Sequence, residues 1–268
     1  MRDIFPFSLW RHFLALPNDS HVKTMGIAFV ISLFAATAVS VTSIALKPRQ
    51  QLHIEAAREA KLASMIATFS GLTEVLRESG AESLESLVIN LDTGLKAADT
   101  EVDSFDFISS QTDPAQSTSL SPEDDLAKLG LRPNRAPVYL LRSSKGLELV
   151  ILPVYGKGYQ STIRAYLALK GDLNTIAGLS IYEQSETPGL GTRITDPFWM
   201  ATWEGKQVTD SDNKVALTLV RSGAVNAFEV DGITGATRSS TGVMNLIRFW
   251  MGEKGFGPFL TALKNGAL

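Results

Sequence analysis

Cysteine is absent from all 268 residues, and the only histidines are His12, His21 and His53. Beyond residue 53 the chain therefore lacks the two side chains that most often bind transition metals or activate a nucleophile. That excludes an iron–sulfur cluster, a cysteine-attached haem and an ordinary zinc site from the main body, and no metal is expected. It also removes Cys–His and Ser–His–Asp catalysis there, and a lipid-modified N-terminal cysteine; no catalytic side chain is assigned. An excess of positive charge is missing as well: 25 Lys and Arg against 28 Asp and Glu give a formal net charge of −3. Such a balance offers no basic surface to a nucleic acid, and none is expected as a partner. Neither a GxGxxG nor a P-loop pattern occurs, so a Rossmann-type nucleotide site lacks support. Any redox role falls to an organic cofactor.

What is present begins with a long apolar run. Residues 25–46 read MGIAFVISLFAATAVSVTSIAL and carry no charge. At about 1.5 Å per residue these span roughly 33 Å, enough for a hydrocarbon core of about 30 Å. Ala36-Thr37-Ala38 and Ser43-Ile44-Ala45 resemble signal-peptide cleavage sites, but signal-peptide apolar regions are usually shorter, about 7–15 residues. The run reads as an uncleaved transmembrane helix preceded by a cytoplasmic segment, 1–24. Basic residues flank it on both sides, so the positive-inside rule leaves orientation open. No ionisable residue lies inside the span, which makes this helix a poor ion path. Ala35, Ala36, Ala38 and Ser40 would allow close approach by a neighbouring helix.

Residues 47–135 read as a helical and loop-rich membrane-proximal region. Ala, Glu, Lys and Leu dominate 50–70, which suggests a helix leaving the membrane. Leu84, Leu87, Val88 and Leu91 have a helical spacing, so a short helix is expected over 82–91. Ser, Asp, Thr, Gln and Pro fill 103–125, the composition of a solvated loop or flexible insertion. Residues 136–268 read as one folded domain. Strands are expected over 136–142, 147–155, 162–170, 175–182 and 214–220, with hairpin signals at Ser143–Gly146 and Gly171–Asn174. An amphipathic helix follows Thr237, with Val243, Leu246, Ile247, Trp250 and Met251 on one face. Strands followed by a helix, without βαβ alternation, indicate an α+β fold with a mainly antiparallel sheet. The closing segment 253–268 is either an ordered extension or a docking surface.

Two motifs stand out. Asp231-Gly232-Ile233-Thr234-Gly235-Ala236-Thr237 precedes Arg238-Ser239-Ser240-Thr241. Local rules assign the hydroxyls of 239–241 to capping the following helix. However, small Gly235 and Ala236 leave the Thr237 hydroxyl accessible, and a helix N-terminus beyond it suits a phosphate. The second motif is Glu186-Thr187-Pro188-Gly189-Leu190-Gly191, directly after a strand. It is either a plain turn or a loop whose backbone N–H groups and Thr187 hydroxyl meet the rim of a planar ring.

Together with Tyr182-Glu183-Gln184-Ser185, the N-terminal apolar run and the closing Gly255-Phe256-Gly257-Pro258-Phe259-Leu260, these motifs give a resemblance over most of the chain. The sequence resembles the covalent-FMN C subunits of the sodium-translocating NADH:quinone reductases. The signature departs from its commonest form only in Thr234, where Ser is frequent. The resemblance implies FMN joined by a phosphoester to Thr237, attached by a flavin transferase. It implies that Thr234, Gly235, Ala236, Glu186, Thr187, Gly189, Leu190 and Gly191 surround the flavin, with Gly158 and Tyr159 helping to line its pocket. It also implies a bacterial inner-membrane protein with its flavin domain on the periplasmic side, assembled with the other reductase subunits. A carboxylate at Glu186 near the ring would disfavour added negative charge and so lower the reduction potential. Without histidine or cysteine the domain has few proton-transfer groups near neutral pH, which favours relay of single electrons over turnover of a diffusible substrate.

Three rivals remain open on sequence grounds. The paralogous G-type FMN subunit of the ion-translocating ferredoxin:NAD reductases shares anchor and signature, but segment 71–135 and the Gly-Phe-Gly-Pro-Phe ending favour the quinone reductase. A non-redox membrane-anchored interaction module would be colourless. A self-sufficient flavin reductase would need an NAD(P)H site, for which no motif is visible.

Overall fold

The computed structural model describes residues 15, 17, 20–41, 83–100, 102–144 and 146–267. The chain divides into two compact units, residues 1–62 and 63–268. The expected helix over 50–70 and the last residues of the apolar run, 42–46, lie outside the described residues.

Among the described residues of the first unit one helix, α1, spans His21–Val41 with a mean hydropathy of 2.0, long and apolar enough to cross a membrane. Two of its hydroxyls bond to backbone one turn earlier: Thr37 Oγ1 donates to the Leu33 carbonyl at 2.7 Å and Thr24 Oγ1 to that of Ser20 at 3.3 Å. Hydroxyls bonded to their own helix are tolerated in hydrocarbon, where no water could serve them.

The second unit is built on a five-stranded antiparallel sheet. Its strands are β1 Ser83–Asn90, β4 Arg135–Ser143, β5 Gly146–Lys157, β6 Thr162–Lys170 and β7 Ile176–Glu183, adjacent in that order. Two small pairs accompany it: β2 Ser117–Ser119 with β3 Leu131–Pro133, antiparallel, and β8 Thr218–Val220 with β9 Glu229–Asp231, parallel. The four strands expected from 136 to 182 are present, and the strand expected over 214–220 is reduced to β8. Residues Leu149 to Gly156 of β5 are all buried, so this strand is covered on both faces. Pro137 and Pro153, which cannot donate to a ladder, lie just past the last β4–β5 pair, Tyr139↔Ile151.

Where a helix is expected over 82–91, Ser83–Asn90 form a strand, β1. The apolar run Leu87-Val88-Ile89 fits either periodicity, and pairing decides the outcome. Leu87 lies opposite Val138 and Ile89 opposite Ala136, and all four are buried. Sheet membership therefore begins at Ser83, upstream of the expected boundary at 136. The polar stretch 103–125 is folded onto the domain as well. Asp106 caps a short helix, α2 Phe107–Ser110, by accepting from Ile108 and Ser109 N–H. Asp113 accepts from Ala115 N–H, and Asp125 from Leu129 and Gly130 N–H. Phe107 sets its ring edge-on to Tyr155 and Trp250.

Three further α-helices lie among the described residues of the unit: α3 Pro197–Ala201, α4 Thr237–Met251 and α5 Gly257–Lys264. The apolar face expected for α4, from Val243 to Met251, is buried. Trp250 Nε1 donates to the Tyr155 carbonyl of β5 at 2.7 Å, fixing the helix against the sheet. Gly242 permits the close approach at the other end, since a Cβ there would stand 3.0 Å from Gly158 Cα and the Lys157 carbonyl oxygen. The closing segment is ordered, with Phe256, Phe259 and Leu263 in the core.

Candidate cofactor site

The loop from β9 into α4 is tied down from outside. Trp199 Nε1 donates to the Asp231 carbonyl at 2.8 Å, and Arg193 Nη1 to that of Thr234 at 3.1 Å. Ala236 N–H donates to Ile233 O at 2.9 Å, closing a tight turn around Gly235, whose φ of +84° favours glycine. Thr237 is then the first residue of α4. Ala236 at the N-cap has no side-chain oxygen, so no side chain caps the helix. The three hydroxyls expected to do so are otherwise engaged or placed. Ser240 Oγ donates to Ala236 O and accepts from Ile233 N–H, Ser239 Oγ reaches Glu186, and Thr241 is exposed. An uncapped helix start leaves its first N–H groups free for an anion. The Thr237 hydroxyl is exposed and makes no hydrogen bond among the described residues.

Glu186 organises what faces this helix start. It is 3% exposed. Its carboxylate accepts five hydrogen bonds: from the N–H groups of Tyr159, Gln160 and Ser161 at 3.0 Å each, from Ser161 Oγ at 3.2 Å, and from Ser239 Oγ at 2.6 Å. Burial pushes its pKa up, but the bonds from Ser239 and the three N–H groups outweigh that and hold it below the ordinary 4.5. One carboxylate thus joins the β5–β6 turn, the 186–191 loop and α4. Two glycines make room for it. A Cβ on Gly158 would lie 2.6 Å from Glu186 Oε1, and one on Gly191 would lie 2.8 Å from both Glu186 Cβ and Ser239 Oγ.

The remainder of the 186–191 loop is a compact turn. Leu190 and Thr192 N–H both donate to the Thr187 carbonyl, and Gly189, with φ +73°, donates to Thr192 Oγ1. The two loops meet around a cavity of about 310 Å³. Thr187, Leu190 and Gly191 line it from one side, Gly235, Ala236 and Thr237 from the other, and Tyr159 closes it. Leu190 and Tyr159 are half exposed, and the Arg238 guanidinium stacks 5.0 Å above the Tyr159 ring. A shallow pocket with apolar walls and open backbone at Gly235 suits one edge of a planar aromatic group, and the helix start suits its phosphate.

Seven of the expected site residues line this cavity. Thr234 borders a second, larger cavity that shares Thr237 and Gly235 with the first. Glu186, Gly158 and Gly189 line neither: Glu186 stands behind the wall with every bond spent on the protein, Gly158 clears space for it, and Gly189 shapes the turn. Arg238, Ser239, Arg193 and Ser161 were not expected. Arg238 follows Thr237 directly and was legible as a neighbour, whereas Ser239 read locally as a cap and Ser161 only as turn polarity.

Residues 158–252 match the FMN-binding domain family, a stretch that contains both loops and the β5–β6 turn. The chain is 35% identical over 257 residues to the C subunit of the Na(+)-translocating NADH-quinone reductase of Vibrio alginolyticus, covering 95% of this chain and 100% of that protein. It is 36% identical over 255 residues to the subunit of the same name from Pasteurella multocida, covering 94% and 97%. The crystal structure of Shewanella oneidensis NqrC superposes with a TM-score of 0.68 at 35% identity, over 78% of this chain and 99% of that one. With this identity running over nearly its full length, the chain belongs to the family of Na(+)-translocating NADH-quinone reductase C subunits.

Proposed function

We propose that this chain is the FMN-carrying electron-transfer subunit of a membrane-bound, sodium-translocating NADH:quinone reductase, with its flavin tethered by a phosphoester to Thr237. The observation that carries the tether is the placement of Thr237. Its hydroxyl is exposed, and unbonded among the described residues, at an uncapped helix start, on the rim of a cavity whose other wall is the 187–191 loop. Thr237, Gly235 and Ala236 would hold the phosphate end, while Thr187, Leu190, Gly191 and Tyr159 would hold the ring. FMN supplies reversible electron storage when bound; orientation and exclusion of water from one ring edge are the work of these side chains. A site this shallow buries little of a ring, so a covalent tether explains how the cofactor is kept through many redox cycles. The bond would form between Thr237 Oγ and the FMN phosphorus as a transferase breaks that phosphorus's P–O bond to the leaving phosphate of an activated flavin donor and the hydroxyl proton is released; the product has the mass of FMN plus the chain minus one water. Acting alone the chain turns over no substrate; the enzymatic activity belongs to the assembled subunits. The flavin domain sits on the periplasmic side of the inner membrane, anchored by α1.

The test is intact mass of the full-length chain coexpressed with a flavin transferase. Wild type gains FMN minus water, and Thr237→Ala gains nothing while remaining folded. Flavin fluorescence that survives denaturing electrophoresis in Thr237→Ala would place the bond elsewhere.

A further inference from the structure

Thr237 also borders a larger open groove of about 620 Å³. Its floor is one face of α4, carrying Thr237, Thr241, Met244, Asn245 and Arg248 at i, i+4, i+7, i+8 and i+11. At 1.5 Å rise per residue that face runs about 16 Å from the helix start to Arg248. The facing wall is β8 with Arg221 and the loop 232–235.

The charge in this groove is of one sign. Arg221 and Arg248 line it, and among the described residues no carboxylate does. The other described arginines have protein partners. Arg132, Arg135, Arg142 and Arg164 pair with carboxylates, Arg193 bonds the Thr234 carbonyl, and Arg238 stacks on Tyr159. Arg221 and Arg248 alone have no hydrogen bond, ion pair or ring contact among the described residues. The acids of β9 do not answer them, since Asp231 Oδ1 accepts from Ala224 N–H and Glu229 Oε2 from Val225 N–H. The two charges are spread along the groove. Gly232 N–H donates to the Val220 carbonyl at 2.8 Å, which puts Arg221 beside the loop end, while Arg248 is three helical turns from the helix start. Spaced cations, with the Thr218 and Thr241 hydroxyls and the Asn245 amide on the same walls, suit an extended chain bearing several carboxylates better than one compact phosphate.

We propose that this groove docks an acidic segment of a protein partner, bringing that partner against the Thr237 edge of the domain. Its use in electron transfer rests on the flavin reading of Thr237; the binding itself does not. Unpaired cations beside a redox site would steer a negatively charged partner and fix its orientation.

The test is fluorescence anisotropy of a fluorescein-labelled polyglutamate peptide with the full-length chain in neutral detergent micelles. Saturable binding is expected, weakened about tenfold or more in R221E/R248E and retained in R221K/R248K, as for interfaces dominated by charge pairs. Absence of saturable binding to wild type, or equal binding to R221E/R248E, overturns the proposal. So does displacement by inorganic pyrophosphate at lower concentration than by unlabelled peptide, which identifies a small-anion site. With the chain coexpressed with a flavin transferase, in-gel flavin fluorescence of the same samples reads Thr237 separately. A chain that binds peptide but carries no flavin keeps the docking groove and refutes the flavin assignment.

Discussion

Replacing Glu186 by glutamine removes a charge and almost no volume, and the structure says where the loss falls. The carboxylate accepts five hydrogen bonds and donates none. A glutamine can turn its carbonyl oxygen toward Gln160 and Ser161, but its NH₂ then opposes the Tyr159 N–H. It also takes away the acceptor that Ser239 Oγ holds at 2.6 Å. Two charge-assisted bonds at about 1.5–3 kcal/mol each are forfeited, offset in part because a buried charge no longer needs compensation. A net loss of about 2–4 kcal/mol is expected at neutral pH. In a unit of this size that lowers the thermal midpoint by roughly 5–15 °C. The difference depends on pH. The folded carboxyl has its pKa held below 4.5, so as pH falls the unfolded chain takes up the proton first. The stabilisation is complete above the ordinary value and disappears as pH drops through the folded one. Wild type and variant should therefore converge in acid. Thermal unfolding of the full-length chain in detergent, from pH 7 down to about 3, covers that linkage window. A neutral-pH midpoint within about 2 °C of wild type, or a gap that stays constant in acid, would refute this account of Glu186. Flavin attachment should also fall, because Ser239 is two residues beyond Thr237. Redox titration of whatever flavinylated variant remains separates positioning from electrostatics. The compensated carboxylate predicts little change in midpoint potential, and a clear rise would return Glu186 to the role of lowering it.

Gly242→Ala should destabilise by about 1–3 kcal/mol despite better helix propensity. The new Cβ meets backbone at 3.0 Å on Gly158 and Lys157, which a side-chain rotation cannot relieve; a raised thermal midpoint would contradict this. Orientation is open to a clean test because the sequence has no cysteine. Ser222→Cys, at an exposed position, should react with a membrane-impermeant maleimide in spheroplasts, and labelling only after lysis would put the domain on the cytoplasmic side.

Much of the site was legible because its residues are short-range. Gly235 and Gly189 have left-handed backbones, so the two glycine-bearing turns could be read from the chain. The amphipathic face of α4 had one reading, and it is buried. The role of Glu186 was not legible. Its donors lie 25 to 27 residues upstream and 53 downstream, and no local pattern reports a carboxylate that serves both. The strand at Ser83–Asn90 was hidden for the same reason, because its partner begins at Arg135.

By itself, then, the sequence determined what chemistry is possible: no thiol or imidazole beyond residue 53, one apolar span, an antiparallel α+β domain, and Thr237 just ahead of a helix. Those follow from composition and from periodicities a few residues long. Tertiary structure decided what each residue does there. It left the Thr237 hydroxyl unbonded among the described residues, gave Ser239 and Ser240 other partners, moved Glu186 from the cavity wall to its scaffold, and left Arg221 and Arg248 without counterions among the described residues. The reason is physical: a hydroxyl or a charge is defined by what lies within about 3 Å of it, and here those neighbours come from distant parts of the chain.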